Sequence, residues 1–364
     1  MKLYLVAGEA SGDARGAELM QALRARDRKI EFAGAGGPKM QAIAGNRFQN
    51  WSGHAVVGII DVLKNYGYFK KQFDAILAEI ETLKPDAVVL IDYPGFNLRL
   101  AAALKKKKAP PKVIYYISPQ VWAWNRGRIP QMARTIDLMM CIFPFEKAIY
   151  EESGLKTIFV GHPMVDSLAA DGRTGMHDPE LVGLFPGSRR KEVEKIFPVM
   201  AHAARLMRHA APALQFEAAA VSAEMAELMQ SELHDNLITV KTHSSHDLMH
   251  RAGVAMVASG TATLEAAFFG LPFVIVYKVA PLTAWIGRML VKVPHLGMVN
   301  ILAGREIVQE FLNGDAKPQV IADTLLALNK DAKVQERMRQ EFARVVEMLG
   351  DGGAAERAAE AVLG

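Results

Sequence analysis

Short apolar runs recur along the chain, each broken by a loop of small and polar residues. In the first half they fall at 3–7, 32–34, 87–91, 113–117, 138–143 and 157–160. In the second half they fall at 181–185, 214–220, 237–241, 254–257 and 273–277. The runs are continuous rather than alternating, which suits strands of a parallel sheet covered on both faces. Helix-like segments follow at 14–26 and at about 193–209. Between the halves, GHPMVDSLAADGRTG (161–175) loses the pattern and reads as a linker. No repeat is visible, so the likeness between the halves is one of architecture. The pattern predicts an α/β chain of two doubly wound, Rossmann-like domains facing across a cleft, 1–168 and 175–349, with ligands at the strand carboxyl ends.

At 364 residues, 51% hydrophobic and 23% charged, the chain is long for one core and comfortable for two. The single cysteine, Cys141, excludes a disulfide framework or a multi-cysteine metal site within the chain and fits a reducing cytoplasm. The start, MKLYLVAGEAS, meets Glu9 too soon for a signal-peptide core and reads as a first strand. Net charge is +4 and the pI about 9.0. Lysines and arginines gather at 105–108 with Lys112, at Arg126 with Arg128, and at 189–191. Nucleic-acid binding asks for a larger imbalance with exposed aromatics, so no such partner is expected. A modest bias suits an anionic membrane surface or phosphorylated substrates.

The stretch 251–278 is the most informative. A strand ends at Ser259-Gly260-Thr261, a helix carrying Glu265 follows, and Gly270-Leu271-Pro272 leads into another strand. A helix beginning at such a loop offers free N–H groups and a positive dipole end to phosphate. Glu265, one turn on, could accept from sugar hydroxyls, so the motif suits a nucleotide sugar; a βαβ unit without ligand fits equally well. The breaks at Gly260, Gly270 and Pro272, and the carboxylate, argue against a membrane span. Pro186-Gly187-Ser188-Arg189 places a second turn and a guanidinium at a helix start, a strong anion site.

In the first half, Gly8-Glu9-Ala10-Ser11-Gly12-Asp13 matches neither the dinucleotide fingerprint nor the P-loop. Its glycines, with Gly16, would admit a ligand or simply make a tight turn. Asp92, in IDYPGFN, ends an apolar run at the sheet's carboxyl edge, where partial desolvation raises a carboxylate's pKa and improves it as a base. A helix-capping aspartate is the alternative. The loop 118–128 holds Gln120, Trp122, Trp124, Arg126 and Arg128, types that stack on sugars and pair with phosphate; core packing of one tryptophan is the alternative. His243, His246 and His250 could share a helical face, but only Asp247 joins them, and no metal site is expected. Apolar residues beside lysines and arginines at 56–69 and 282–296 fit either contact with an anionic bilayer or buried core helices.

Taken together, VAGEASGD (6–13), IDYPGFN (91–97), YYISPQVWAW (115–124), FPFEK (143–147), VGHPMVD (160–166), FPGSRRKEV (185–193), ASGTATLEAA (258–267) and NILAGRE (300–306) resemble the lipid-A-disaccharide synthase family of GT-B glycosyltransferases over nearly the whole length. The resemblance implies transfer from UDP-2,3-diacylglucosamine to 2,3-diacylglucosamine 1-phosphate, giving a β-1,6-linked disaccharide 1-phosphate and UDP by inversion. It implies no cofactor or metal and a peripheral place on the cytoplasmic face of the inner membrane. It also implies a final helix, 350–364, returning to the first, acceptor-side domain, and a homodimer by C-terminal exchange in some relatives. Asp92 takes the position of the family's base. Arg189, Glu265, Asn300 and Glu306 match donor-side positions. The expected catalytic residues are Asp92 and Arg189. The expected substrate-binding residues are Gly8, Glu9, Ser11, Gly12, Gln120, Trp122, Pro186, Gly187, Ser188, Ser259, Gly260, Thr261, Glu265, Asn300 and Glu306. Two departures stand out: Gly95 where many relatives carry a second aspartate, and Gly253 where an aspartate is expected. Rival readings are another GT-B activity, such as a UDP-sugar 2-epimerase or a galactosyltransferase, and a two-lobed sugar-binding protein.

Overall fold

A computed structural model describes residues 1–51, 66–169, 177–279 and 294–364. The chain divides into two compact units, Met1–Asp166 with Leu349–Gly364, and Ser167–Met348. The segments 56–69 and 282–296, read as lipid-facing or core, lie mostly outside the described residues.

The first unit carries a parallel sheet of seven strands: β1 (Lys2–Ala7), β2 (Glu31–Gly36), β3 (Phe48–Asn50), β4 (Ala87–Ile91), β5 (Lys112–Tyr116), β6 (Leu138–Cys141) and β7 (Thr157–Phe159), ordered β3-β2-β1-β4-β5-β6-β7. Leu3 and Leu5 face a core shared with the helices Ala10–Arg26 and Ala354–Leu363, while Tyr4 and Val6 face the opposite core. Both faces are therefore covered, which is why these strands are continuously apolar. The second unit has six parallel strands, β8 (Asp178–Phe185), β9 (Gln215–Ala220), β10 (Ile238–Thr242), β11 (Ala252–Ala258), β12 (Phe273–Tyr277) and β13 (Glu310–Leu312), ordered β10-β9-β8-β11-β12-β13. Gly253 sits at a register irregularity between β11 and β8, where a Cβ would lie 2.6 Å from the Asp178 carbonyl. An aspartate has no room there.

Two local readings are corrected. The first helix begins at Ala10, so Ser11, Gly12 and Asp13 form its opening turn rather than a loop. Asp13 is buried, and its carboxylate accepts from the backbone N–H groups of Gly37, Lys39 and Met40, each at 3.0 Å. It thereby anchors the start of the helix Pro38–Ala44. Gly16 is fixed by packing, since a Cβ there would fall 2.4 Å from the Met40 sulfur. The second correction concerns 161–175: residues Met164–Ala169 are helical, and Val165 and Leu168 are buried.

The motif VGHPMVD holds the end of the chain. Asp166 accepts from the N–H groups of Gly353 (2.6 Å) and Ala354 (3.1 Å), capping the helix Ala354–Leu363. The Arg357 side chain donates to the Val160 carbonyl (2.8 Å), and the His162 N–H donates to Leu349 O (2.8 Å). Ala358, Ala359 and Val362 then pack into the core beside the first helix. Gly352 is needed at this junction, because its φ is +81° and a Cβ would lie 2.5 Å from the Asp166 carboxylate. Asp166→Ala should cost about 1–2 kcal/mol, as loss of a capping acceptor does, measured by urea unfolding of the full chain. Asp166→Asn, which can still cap, should recover most of it; equal stability of all three proteins would refute the clamp.

Candidate functional site

In the first unit, β1 and β4 are neighbours although the chain visits β2 and β3 between them. The helix after β1 packs on one face of the sheet and the helix after β4, Pro94–Leu104, on the other. Such a switch point leaves the carboxyl-end loops splayed and accessible. Register sets Ala7 beside Ile91 and Ile91 beside Tyr116, so the loops at Gly8-Glu9, Asp92-Tyr93 and 117–120 come together. Gly8 is required here, because a Cβ would lie 2.2 Å from the Tyr93 ring.

Asp92 and Tyr93 both adopt left-handed backbone, φ +46° and +50°. Non-glycine residues rarely do so, and such strain concentrates at functional sites. Asp92 is half-buried, and burial pushes its carboxyl pKa up; the Tyr93 N–H pulls it down, and the nearby Glu9 carboxylate adds to the rise. Ser11 and Gln120 are exposed, Glu9 is half-buried, and Gly12 is buried in the first helical turn. Gly95 is exposed, and a Cβ there would meet nothing within 4 Å.

The tryptophans divide. Trp122 is buried and its indole N–H donates to Glu146 (2.8 Å), whereas Trp124 is 45% exposed with the Arg128 guanidinium 5.4 Å above its ring. Glu146, which sequence reasoning passed over, is fully buried and also accepts from the Ser118 hydroxyl (2.6 Å) and the Phe143 N–H (3.2 Å). Burial pushes its pKa up to about 7, against the pull of those donors. It ties the loop after β5 to the loop after β6. A lone carboxylate in the apolar stretch 138–150 was the available signal.

The second unit repeats the logic at β8 and β11, adjacent strands with Phe185 in register with Val257. The loops Pro186–Arg189 and Ser259–Thr261 therefore share one edge, and a Cβ on Gly187 would be 3.7 Å from that of Ala258. Gly187 has φ +108° and Gly260 φ +150°, conformations suited to glycine. Arg189 precedes the long helix Arg190–Ala210; its side chain is 66% exposed, 3.2 Å from Glu192. Tyr277, at the end of β12, has its hydroxyl pKa raised by burial and by Glu192, and lowered by Arg189. Pro186 is buried and Ser188 exposed. Ser259 donates to the Leu296 carbonyl (3.0 Å), and Thr261 is exposed at the start of the helix Ala262–Phe268. Glu265 is one-quarter exposed with His246 Nε2 3.7 Å away.

The last two expected positions differ sharply. Glu306 is exposed, but Asn300 is fully buried and braces the unit. Its amide N–H groups donate to Val308 O (2.7 Å) and Glu310 (2.8 Å), and its oxygen accepts from Ile307 N–H (2.8 Å) and Val308 N–H (3.0 Å). Among the described residues, no group of three or more His, Cys, Asp or Glu side chains is placed to hold a metal ion.

Comparison with known proteins matches this arrangement. The family described as lipid-A-disaccharide synthetase aligns with residues 3–362. A lipid-A-disaccharide synthase from Trichlorobacter lovleyi is 41% identical over 100% of this chain and 97% of its own length. One from Coxiella burnetii is 35% identical over 99% of this chain and 97% of its own. Among solved structures, a UDP-GlcNAc 2-epimerase from Neisseria meningitidis bound to UDP-GlcNAc superposes with TM-score 0.65 at 14% identity, covering 100% of both chains. MurG from Acinetobacter baumannii superposes with TM-score 0.57 at 11% identity over 100% of this chain and 99% of its own. These distant neighbours establish the GT-B fold, and the full-length relatives decide among its activities. The chain belongs to the lipid-A-disaccharide synthase family of glycosyltransferases.

Proposed function

We propose that the chain moves a 2,3-diacylglucosaminyl group from UDP-2,3-diacylglucosamine onto the primary hydroxyl of 2,3-diacylglucosamine 1-phosphate (lipid X), inverting the anomeric carbon. Asp92 removes the hydroxyl proton as that oxygen forms the new bond to the anomeric carbon. The bond from that carbon to the diphosphate oxygen breaks, and UDP leaves with the electron pair. Arg189 and the N–H groups at Ser259–Thr261 offset the charge growing on UDP, and Glu265 accepts from its ribose. The observation that carries these roles is the half-buried, strained Asp92 at one switch point and the cationic, glycine-bearing loops at the other. Acyl substrates imply work at a bilayer, and a +4 chain suits the anionic cytoplasmic face of the inner membrane. No helix among the described residues is long and apolar enough to cross it.

Labelled UDP-diacylglucosamine should be converted to a disaccharide only when the acylated sugar phosphate is present, with a β linkage by NMR. Loss of donor without acceptor, as an epimerase would cause, or an α linkage, overturns the reading. Asp92→Asn should lower kcat by about 10²–10⁴, the usual worth of a general base, with UDP affinity by calorimetry unchanged. Glu9→Gln tests the electrostatics. Glu9 helps raise the Asp92 pKa, so its removal lets Asp92 ionise at lower pH. The acidic limb of kcat/KM should move down; an unmoved or rising limb contradicts the coupling.

A further inference from the structure

We propose that Asn97 and Tyr115 are positioning residues that clamp the Asp92–Tyr93 peptide and so aim the Asp92 carboxylate. The proposal deepens the reading of Asp92 as the base and rests on it. Tyr115, on β5, is fully buried and donates its hydroxyl to the Asp92 carbonyl at 2.6 Å. Asn97, also fully buried, donates its amide to the same carbonyl at 2.8 Å. That amide nitrogen also lies 3.2 Å from Ile91 O and 3.4 Å from Val6 O, tying the ends of β4 and β1 to the turn that follows β4.

The consequence follows from peptide geometry. In a trans, planar peptide the C=O and the following N–H point in opposite directions. Holding the Asp92 carbonyl against Tyr115 and Asn97 sends the Tyr93 N–H the other way, and that N–H lowers the Asp92 carboxyl pKa against the rise from burial. One peptide orientation thus fixes both the strained backbone and the side chain that it carries. The Asp92 N–H is committed to Tyr116 O (2.9 Å), and the Phe96 and Asn97 N–H groups to Tyr93 O (3.2 and 3.0 Å). The peptide between them is the remaining free hinge, and the two side chains hold it.

One detail argues that the amide is there for its N–H groups. The Asn97 side-chain oxygen is buried without a partner, a cost that native proteins seldom carry. An apolar residue would avoid that cost but would take the amide away from the Val6 and Ile91 carbonyls and leave the Asp92 carbonyl to Tyr115 alone. An aspartate would turn its oxygens on those same carbonyls. Asparagine is retained for what its nitrogen does.

The test compares Tyr115→Phe, Asn97→Ala and Asp92→Asn in the full-length enzyme, with UDP affinity and thermal unfolding as controls. Among the described residues, the titratable groups coupled to the Asp92 carboxylate are Glu9 and Tyr115, with the Tyr93 hydroxyl in turn facing Glu9, so Glu9 is left intact. Releasing the clamp frees the Tyr93 N–H, whose bond lowers the Asp92 pKa. The acidic limb should therefore rise in pH, opposite to the effect of removing Glu9. For Asn97→Ala, kcat should fall about 100-fold, the scale of an ångström's misplacement, with the donor KM unchanged. Tyr115→Phe, which removes one oxygen, should show a smaller loss and the same sign of shift. It carries the test alone if Asn97→Ala does not fold. If Asp92→Asn keeps its turnover, the base reading fails. If Asp92→Asn is inactive while both clamp variants keep a normal kcat and pH limb, the clamp is refuted.

Discussion

With right-handed crossovers, an open parallel sheet can be covered on both faces only if its winding reverses, and the reversal opens a crevice at the strand ends. In the first unit it lies between β1 and β4, in the second between β8 and β11. On either side of such a point the helices leave for opposite faces. In the second unit, Arg190–Ala210 joins the core on one side while Ala262–Phe268 packs on Ala332–Met348. Backbone N–H groups and side chains at the strand ends are then left facing outward, with no crossover above them. All else at the two candidate sites is an elaboration of that opening: glycines where backbone or ring must approach, and charge where a ligand brings the opposite sign.

A second constraint sorts the motif residues by role. A polar group taken out of water must find a partner inside the protein. Asp13, Glu146 and Asn300 obey it by accepting from backbone or side-chain donors around them. Each fastens a loop to a neighbour and has little capacity left for a ligand. Ser188, Arg189, Gly260, Thr261, Gln120 and Glu306 are exposed and keep theirs. Motifs that look uniform in sequence therefore mix two kinds of residue, those left open at the surface and those that hold the first kind still.

This division explains what could be read from the sequence. Strands covered on both faces announce themselves as apolar runs; 87–91 and 273–277 coincide with β4 and β12. The edge strands β3 and β13 were missed because three residues with one buried side chain each leave no such run. The helix Met164–Ala169 hid in a stretch of glycine, proline and aspartate, since its role is to cap another part of the chain rather than to bury a long face. At the sites, the loops were legible because small residues and charges after a strand have a physical meaning. Asn97, Tyr115 and Glu146 were not, because Asn97 reaches Val6 91 residues away, Tyr115 reaches Asp92 23 away and Glu146 meets Ser118 28 away, all brought together by strand pairing.

The same physics bears on how Asp92 would serve as the proposed base. In water a carboxylate is too weakly basic to take much of an alcohol's proton. Burial at the switch point and the Glu9 charge strengthen it, yet unchecked they would leave it protonated and useless. The Tyr93 N–H acts in the opposite sense, favouring the ionised form along one direction only. Desolvation supplies basicity without orientation, and a single hydrogen bond supplies orientation at a small cost in basicity. That compromise requires the donor peptide to stay where it is. On the proposed reading the left-handed turn is part of the base itself, and the strain it stores is met by the packing of Trp51, Tyr93 and Phe96 on one another around it.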